Sequence, residues 1–253
     1  MNDKPRRKRL DVLLVERGLA ESRQKAQAMI LAGEIKVDRK RAAKAGVNVA
    51  EFAHIEVHSR TQKYVSRGGF KLEGALEDFQ VVVRGRVCVD IGSSTGGFTD
   101  CLLQRGVERV YAIDVNTEQL AWKLHEDERV IRIKKNAREL TRSDVGENAD
   151  LVVIDVSFIS VTKILPGAVD CAKEGADLII LVKPQFELER EEVGKGGIVR
   201  DPKLHEKAVA RVRNAAESLG LEILGVRASR LAGMEGNQEY FLHARKVAKV
   251  ESA

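Results

Sequence analysis

Aromatic side chains are scarce in this sequence, at 4% of 253 residues. A surface that grips RNA mainly by stacking bases on rings is therefore not expected. Cysteine is nearly absent too. Cys88, Cys101 and Cys171 lie far apart with no CxxC pair, which argues against a zinc site and a disulfide framework and suits a reducing cytoplasm. No apolar run approaches the roughly 20 residues of a membrane span. The opening MNDKPRRKRLDVLL lacks a signal-peptide core followed by a small-residue cleavage site. These absences predict a cytoplasmic protein that neither crosses nor lyses a membrane. At 43% hydrophobic, the chain can build one large domain, or a medium domain with a small module.

The positive charge is unevenly placed. The first 50 residues carry 13 Lys/Arg against 6 Asp/Glu, whereas the rest carry 30 against 32. The basic segment is patterned to fold rather than to trail in solvent. Leu10, Leu13 and Leu14 recur at helical spacing before Gly18. Ser22 is placed to cap a second helix with an apolar face of Ala26, Met29 and Ile30, ending at Gly33. Residues 34–37 and 55–57 alternate like strands. Arg23 and Lys25, with Lys36, Arg39, Lys40 and Arg41, would gather cations on one side of a small domain, which suits RNA phosphates. The run RLDVLLVERGLAESRQKAQAMILAGEIKVD resembles the S-four-like RNA-binding domain from residue 8 to about 58. That resemblance implies recognition of structured RNA and says nothing of chemistry. The domain reading is 1–60, a joint at 61–67, and a second domain at 68–253.

Beyond residue 68 strands alternate with helices. Apolar strands are predicted at 87–91, 109–114, 130–133, 151–155, 177–182, 222–228 and 239–244, with helices near 70–79, 97–105, 117–125, 162–173 and 203–219. This is the pattern of an α/β, doubly wound and mostly parallel sheet. Such sheets bind ligands at the carboxyl ends of their strands.

The first of those ends reads VDIGSSTGGF, residues 89–98. It has no GxxxxGK, so it is no phosphate loop, and GxxxGG fits the dinucleotide fingerprint poorly. A ligand-free structural turn is one alternative. Gly92–Gly96 also matches GxSxG, the nucleophile elbow of a serine hydrolase, with Ser94 attacking and Asp155 plus His205 or His243 as partners. Nothing around either histidine marks it as a base. The acidic residues favour another ligand. Asp90 precedes the glycines, and Asp114 ends the next strand at roughly the 20-residue interval expected of a ribose-binding acid. Gly92, Gly96 and Gly97 allow close backbone approach, and Ser93 and Ser94 complete the turn. Asp90 would repel a phosphate and welcome a sulfonium with an ammonium group, the two cations of S-adenosylmethionine. The turn is read as a methyl-donor site.

The motifs RGGFKLEGAL, VDIGSSTGGFTDCLL, VYAIDVN, VIDVSFIS, LVKPQFE and GNQEYFL, in that order, closely resemble the hemolysin A (TlyA-type) ribosomal RNA methyltransferases, a group of the FtsJ-like ribose methyltransferases. The likeness spans residues 8–245. It implies a Rossmann-like seven-stranded methyltransferase fold behind a small α+β S-four-like domain. It also implies transfer of methyl from S-adenosylmethionine to a ribose 2′-hydroxyl, typically of cytidine in ribosomal RNA. One departure stands out: Ala228-Ser229-Arg230-Leu231 precedes GNQEY where the family commonly has Ser-Pro. The family's Lys-Asp-Lys-Glu tetrad falls on Lys71, Asp155, Lys183 and Glu239. Read as residues alone, Asp155 and Lys183 end apolar strands, where a charge is costly unless exposed or used. Lys71 and Glu239 would pass for surface charges. Lys183 is either a general base or a positioned cation that steers the hydroxyl. Asn136 meets the adenine edge or caps a loop, and Phe98 lines the donor pocket or joins the core. Residues 186–200 are read as a mobile flap over RNA. No metal ligands are apparent, and displacement at a methyl group requires none. An RNA-binding ribosome-assembly factor that holds the donor without turnover is the non-enzymatic alternative.

Overall fold

In the basic segment a short strand, β1 (Arg7–Arg9), runs into α1 (Leu10–Glu16), followed by α2 (Arg23–Leu31), β2 (Ile35–Val37), β3 (Lys40–Arg41), β4 (Asn48–Ala50) and β5 (Ile55–Val57). The computed structural model describes residues 7–20, 22–31, 33–38, 40–42, 44–57, 63–233 and 236–247. The chain divides into two compact units, Met1–Gln62 and Lys63–Ala253. In the first, the apolar stripe of α1 packs with Ala26 and Ile30 of α2 and with Ile35 and Val49 into one core. β2 pairs antiparallel with β3 and β5, and β1 with β4. Asp11 is fully buried at the edge of that core. It accepts hydrogen bonds from Arg9, Arg23, Gln27 and the Val12 N–H. The Arg9 guanidinium foremost, with Gln27 and Arg23, holds its carboxyl well below the usual range against the cost of burial.

The second unit opens with α3 (Arg67–Asp78). Strands and helices then alternate: β6 (Val87–Ile91), α4 (Gly97–Gln104), β7 (Arg109–Asp114), α5 (Trp122–His125), β8 (Val130–Lys134), β9 (Ala149–Ile154), α6 (Leu165–Cys171), β10 (Ala172–Val182), α7 (Pro184–Glu187), α8 (Pro202–Ser218), β11 (Leu221–Ala228) and β12 (Tyr240–Lys246). They form a seven-stranded sheet in the order β11-β12-β10-β9-β6-β7-β8. The five strands β6 to β10 run parallel, and β12 runs antiparallel to both its neighbours. Side chains alternate across the sheet. Val152 and Ile154 of β9 pack with α6 and α8 on one face, while Leu151 and Val153 pack with α3, α4 and α5 on the other.

Two consequences position the site. The chain steps from β6 outward through β7 and β8, then returns to β9 on the other flank of β6. The ends of β6 and β9 therefore bracket the switch point where such sheets bind ligands. Because β12 is antiparallel, its beginning lies at that same edge, with Tyr240 opposite Val182. The joint expected at 61–67 is shorter than its sequence suggests. Tyr64 is 1% exposed within the second unit's core, and the Val65 N–H donates to Asp100. Residues 63–67 belong to that unit.

Candidate active site

The turn after β6 is built on left-handed backbone, with φ of +85° at Gly92, +48° at Ser94 and +91° at Gly96. A Cβ at Gly92 would overlap the Asp155 carbonyl oxygen, and one at Gly96 would overlap Leu124. These glycines were expected to admit a ligand. Instead they admit protein: Gly92 lets the ends of β6 and β9 touch, and Gly96 lets the turn settle on the residues of α5. The other side of the turn is left open. Gly92, Ser93, Ser94, Thr95, Gly97 and Phe98 line a cavity of about 650 Å³, within the roughly 300–1,000 Å³ of small-molecule pockets. The N-terminus of α4 opens onto it at Gly97 and Phe98, a setting that favours an anionic group. Phe98 is 3% exposed in the core and also lines the cavity.

Asp90 lies fully buried beneath the turn. One oxygen accepts from Thr99 Oγ1 at 2.6 Å, and the other has no partner among the described residues. Burial pushes its carboxyl up to about 7. Asp114 braces the turn from behind. Its oxygens accept from Ser94 N at 3.0 Å, Asn116 N at 3.0 Å and Gln119 Nε2 at 3.2 Å. That engages three of the roughly four acceptor positions of a carboxylate. Asn136 is a loop cap: its Oδ1 accepts from the Arg138 N–H, and it does not line the cavity.

Lys71, Asp155, Lys183 and Glu239 all line this cavity, as two ion pairs. Lys183 Nζ lies 2.5 Å from Asp155 Oδ1 and donates to Ser157 Oγ at 2.9 Å. Lys71 Nζ donates to Glu239 Oε2 at 2.5 Å. Lys71 is 9% exposed and Glu239 2%. Neither is the surface charge that the residues alone suggest. One helix and one strand, 168 residues apart, hide them against each other.

The sequence reading missed several neighbours. Ser157, bonded to Lys183, sits two places beyond Asp155 in the motif VIDVSFIS. Phe158 is 91% exposed at φ +64°, a conformation costing about 1–3 kcal/mol in a non-glycine residue. Its ring lies 5.4 Å from that of Phe186. Residues 186–200, expected as a flap, are anchored at both ends, and Phe186, Val193 and Gly197 line the cavity. Glu187 is 2% exposed, Arg211 donates to its carbonyl, and Asn237 bonds both the Val199 N–H and the Gly197 carbonyl. The departing loop at 228–231 is also tied down: Ser229 N donates to the Glu239 carbonyl, and Arg230 pairs with Glu77 and Asp78. Among the described residues no hydrolase triad is assembled. His205 bonds Tyr240 and the Val199 carbonyl, His243 bonds Asp177, and neither lines the cavity of Ser94.

In the first unit, Arg23 is committed to buried Asp11 while its side chain stays 55% exposed. Lys25 and Lys40 are exposed and Lys36 is half-buried. Lys36 on β2 stands opposite Arg41 on β3. Arg39 lies outside the described residues.

A seven-stranded sheet closed by an antiparallel last strand, with a glycine turn between acidic strand ends at its switch point, defines the S-adenosylmethionine-dependent methyltransferases. Residues 64–246 match the FtsJ-like methyltransferase family and residues 8–55 the S4 domain. The chain belongs to the FtsJ-like methyltransferases, in the hemolysin A (TlyA) group. The 16S/23S rRNA (cytidine-2′-O)-methyltransferase TlyA of Mycobacterium tuberculosis is 48% identical, covering 95% of this chain and 90% of its own. Hemolysin A of Brachyspira hyodysenteriae is 41% identical over 93% of this chain and 98% of its own. A solved structure from Streptococcus thermophilus superposes with a TM-score of 0.75 at 39% identity, covering 96% of this chain and 89% of that one. Among the described residues, no helix is long and apolar enough to cross a membrane.

Proposed function

We propose that this enzyme methylates the ribose 2′-hydroxyl of a cytidine in cytoplasmic ribosomal RNA. The observation that carries the reading is the meeting of Lys71, Asp155, Lys183 and Glu239 in the cavity that the glycine turn also lines. S-adenosylmethionine supplies an electrophilic methyl group when bound. The residues present suit it. The N-terminus of α4, which opens on the cavity, would complement its carboxylate. Asp90, with one oxygen unpartnered beneath the turn, and Asp114, with an acceptor position left behind it, do not line the cavity and would act on the donor's cations and ribose only from the far side of the turn. Asn136 lies outside the cavity as a loop cap, and its amide N–H groups would meet an adenine edge only if the donor extends past the turn toward it.

A ribose hydroxyl attacks poorly unless its oxygen is held in line and its proton has somewhere to go. An ammonium has three N–H bonds. Two of those on Lys183 point to Asp155 and Ser157, so the third is left to hold the acceptor oxygen. For the hydroxyl proton to leave through Lys183, the ammonium first gives Asp155 the proton they share. The neutral amine then has a lone pair to take the hydroxyl proton, leaving an ammonium beside a protonated Asp155. Lys71, fixed by Glu239, sets a second positive charge in the same cavity to stabilise the developing alkoxide. Phe158 offers the exposed ring on which the target base rests. In the first unit Arg23, Lys25, Lys36, Lys40 and Arg41 contact RNA phosphates and set register rather than chemistry.

The test is transfer of tritiated methyl from S-adenosylmethionine to purified ribosomal subunits, with Lys183→Met in parallel. Label at a ribose 2′-oxygen should fall by about 10²–10⁴ in the variant, while donor affinity stays near wild type. Donor binding without label on either subunit or on naked ribosomal RNA would favour a non-catalytic assembly factor. Label that survives the substitution would move the base elsewhere.

A further inference from the structure

The motif after Lys183 holds a group that the proposed chemistry leaves unused. Glu187 is 2% exposed, in the turn of helix directly following the lysine. It does not line the cavity. Its carboxylate reaches across to the loop that leaves β9: Oε2 accepts from Ser160 Oγ at 2.5 Å and Oε1 from the Val161 N–H at 2.8 Å. Ser160 in turn caps the short helical turn that begins at Val161. Burial pushes the carboxyl up, and the two donors from Ser160 and Val161 oppose that push.

The loop so gripped is 155–160, which carries Asp155, Ser157 and Phe158. At its start, the Asp155 N–H is fixed to the Ile91 carbonyl. At its end it is fixed by Glu187 alone among the side chains of α7. Between those two points three contacts cross to the same segment: Lys183 to Asp155, Lys183 to Ser157, and Phe186 against Phe158. Glu187 is itself immobilised, because Arg211 of α8 donates to its carbonyl at 2.7 Å. Phe158 holds a left-handed backbone, which persists only where the surroundings over-determine it. The Glu187 grip is the part of those surroundings that acts on the loop's far end.

We infer that Glu187 and Ser160 form a clamp that positions the Lys183 amine and the Phe158 ring for the acceptor nucleotide. Glu187 is a positioning residue, acting through the loop and not on substrate. The inference rests on the methyl-transfer reading of the site. It separates the two halves of the cavity: the donor turn at 92–98 is held by β6, α4 and Asp114, none of which the clamp touches.

Full-length wild type, Ser160→Ala, Glu187→Ala and Glu187→Gln decide it. Ser160→Ala keeps the Val161 bond and so protects folding, while Glu187→Ala removes both bonds. Glutamine can accept from the Val161 N–H and donate to Ser160 Oγ, and should restore most of the rate. Single-turnover methyl transfer to ribosomal subunits should fall about ten- to a hundredfold in the two alanine variants, with donor affinity by calorimetry and melting temperature close to wild type. Amide exchange should quicken across 156–161 and stay unchanged across 92–97. Wild-type rates in both alanine variants would overturn the clamp. So would a rate loss matched by equal loss of donor affinity and melting temperature, or failure of glutamine to restore the rate. If wild type itself transfers no methyl, the proposed function fails, and the exchange comparison still decides whether Glu187 orders the loop.

Discussion

Replacing Lys71 by methionine strands the Glu239 carboxylate, which is 2% exposed and has Lys71 as its ion-pair partner. Removing one member of a buried pair costs about 3–5 kcal/mol, whereas exchanging both for apolar groups of similar volume is close to neutral. For a unit of this size each kcal/mol moves Tm by about 2–4 °C, so Lys71→Met should lower the melting temperature by roughly 6–20 °C. The double variant Lys71→Met/Glu239→Met should recover most of that loss. Methyl transfer should be lost in both, because the apolar pair restores packing and not the charge facing the acceptor. Scanning calorimetry beside the tritium assay reads both quantities. A single variant that melts as wild type does would refute the buried pairing. A double variant that regains transfer would make the pair purely structural.

Asp90 gives a pH signature. Its carboxyl sits at about 7 in the fold because burial penalises the charge, against about 3.9 in an unfolded chain. Its contribution to stability is complete below about pH 4 and is lost as pH rises through 7, so Asp90→Asn should gain on wild type across that window; parallel melting curves would sink the idea. In the first unit, Lys36→Ala and Lys40→Ala should each weaken RNA binding almost independently of sequence and reduce the salt slope by about one, and an unchanged slope would remove that lysine from the phosphate contacts. Phe158→Gly relieves a backbone at φ +64° and should leave the melting temperature unchanged or raised. Transfer should fall by about tenfold if a ring stacks on the target base, and full activity would dismiss that role.

The sheet was legible because its strands are apolar runs of ordinary length broken by helical spacing. β6 and β7 fall where the sequence put them, and β10 starts earlier, at Ala172, across a shift of register. The helices expected near 117–125 and 162–173 each break into a 3₁₀ turn and a short α-helix, led by the caps Asn116 and Ser160. β1, β3 and β4 escaped notice because strands of two or three residues, one of them Arg-Lys-Arg, carry too little alternation to read. The site divides by distance along the chain. The Gly92 turn and Asp114 announce themselves locally, and Asp155 and Lys183 stand out as charges closing apolar strands. Burial of Lys71 against Glu239 has no local trace at all, since partners 168 residues apart leave no spacing to detect. The glycines misled in a specific way. Their positions were right, but the atoms they make room for are the Asp155 carbonyl and Leu124.

The insertion of β12 between β10 and β11 also sets the moment at which the protein becomes competent. Lys71, Asp155 and Lys183 are synthesised well before Glu239, and β10 and β11 must both exist before β12 can lie between them. Synthesis from the N-terminus onward, at about 5–20 residues per second, thus completes the donor turn and three site residues first. The charge that fixes Lys71 arrives with the last strand of the sheet. Until that strand is inserted, the unfinished chain lacks the carboxylate against which Lys71 is buried, so the four-residue site is the last part of the unit to be completed.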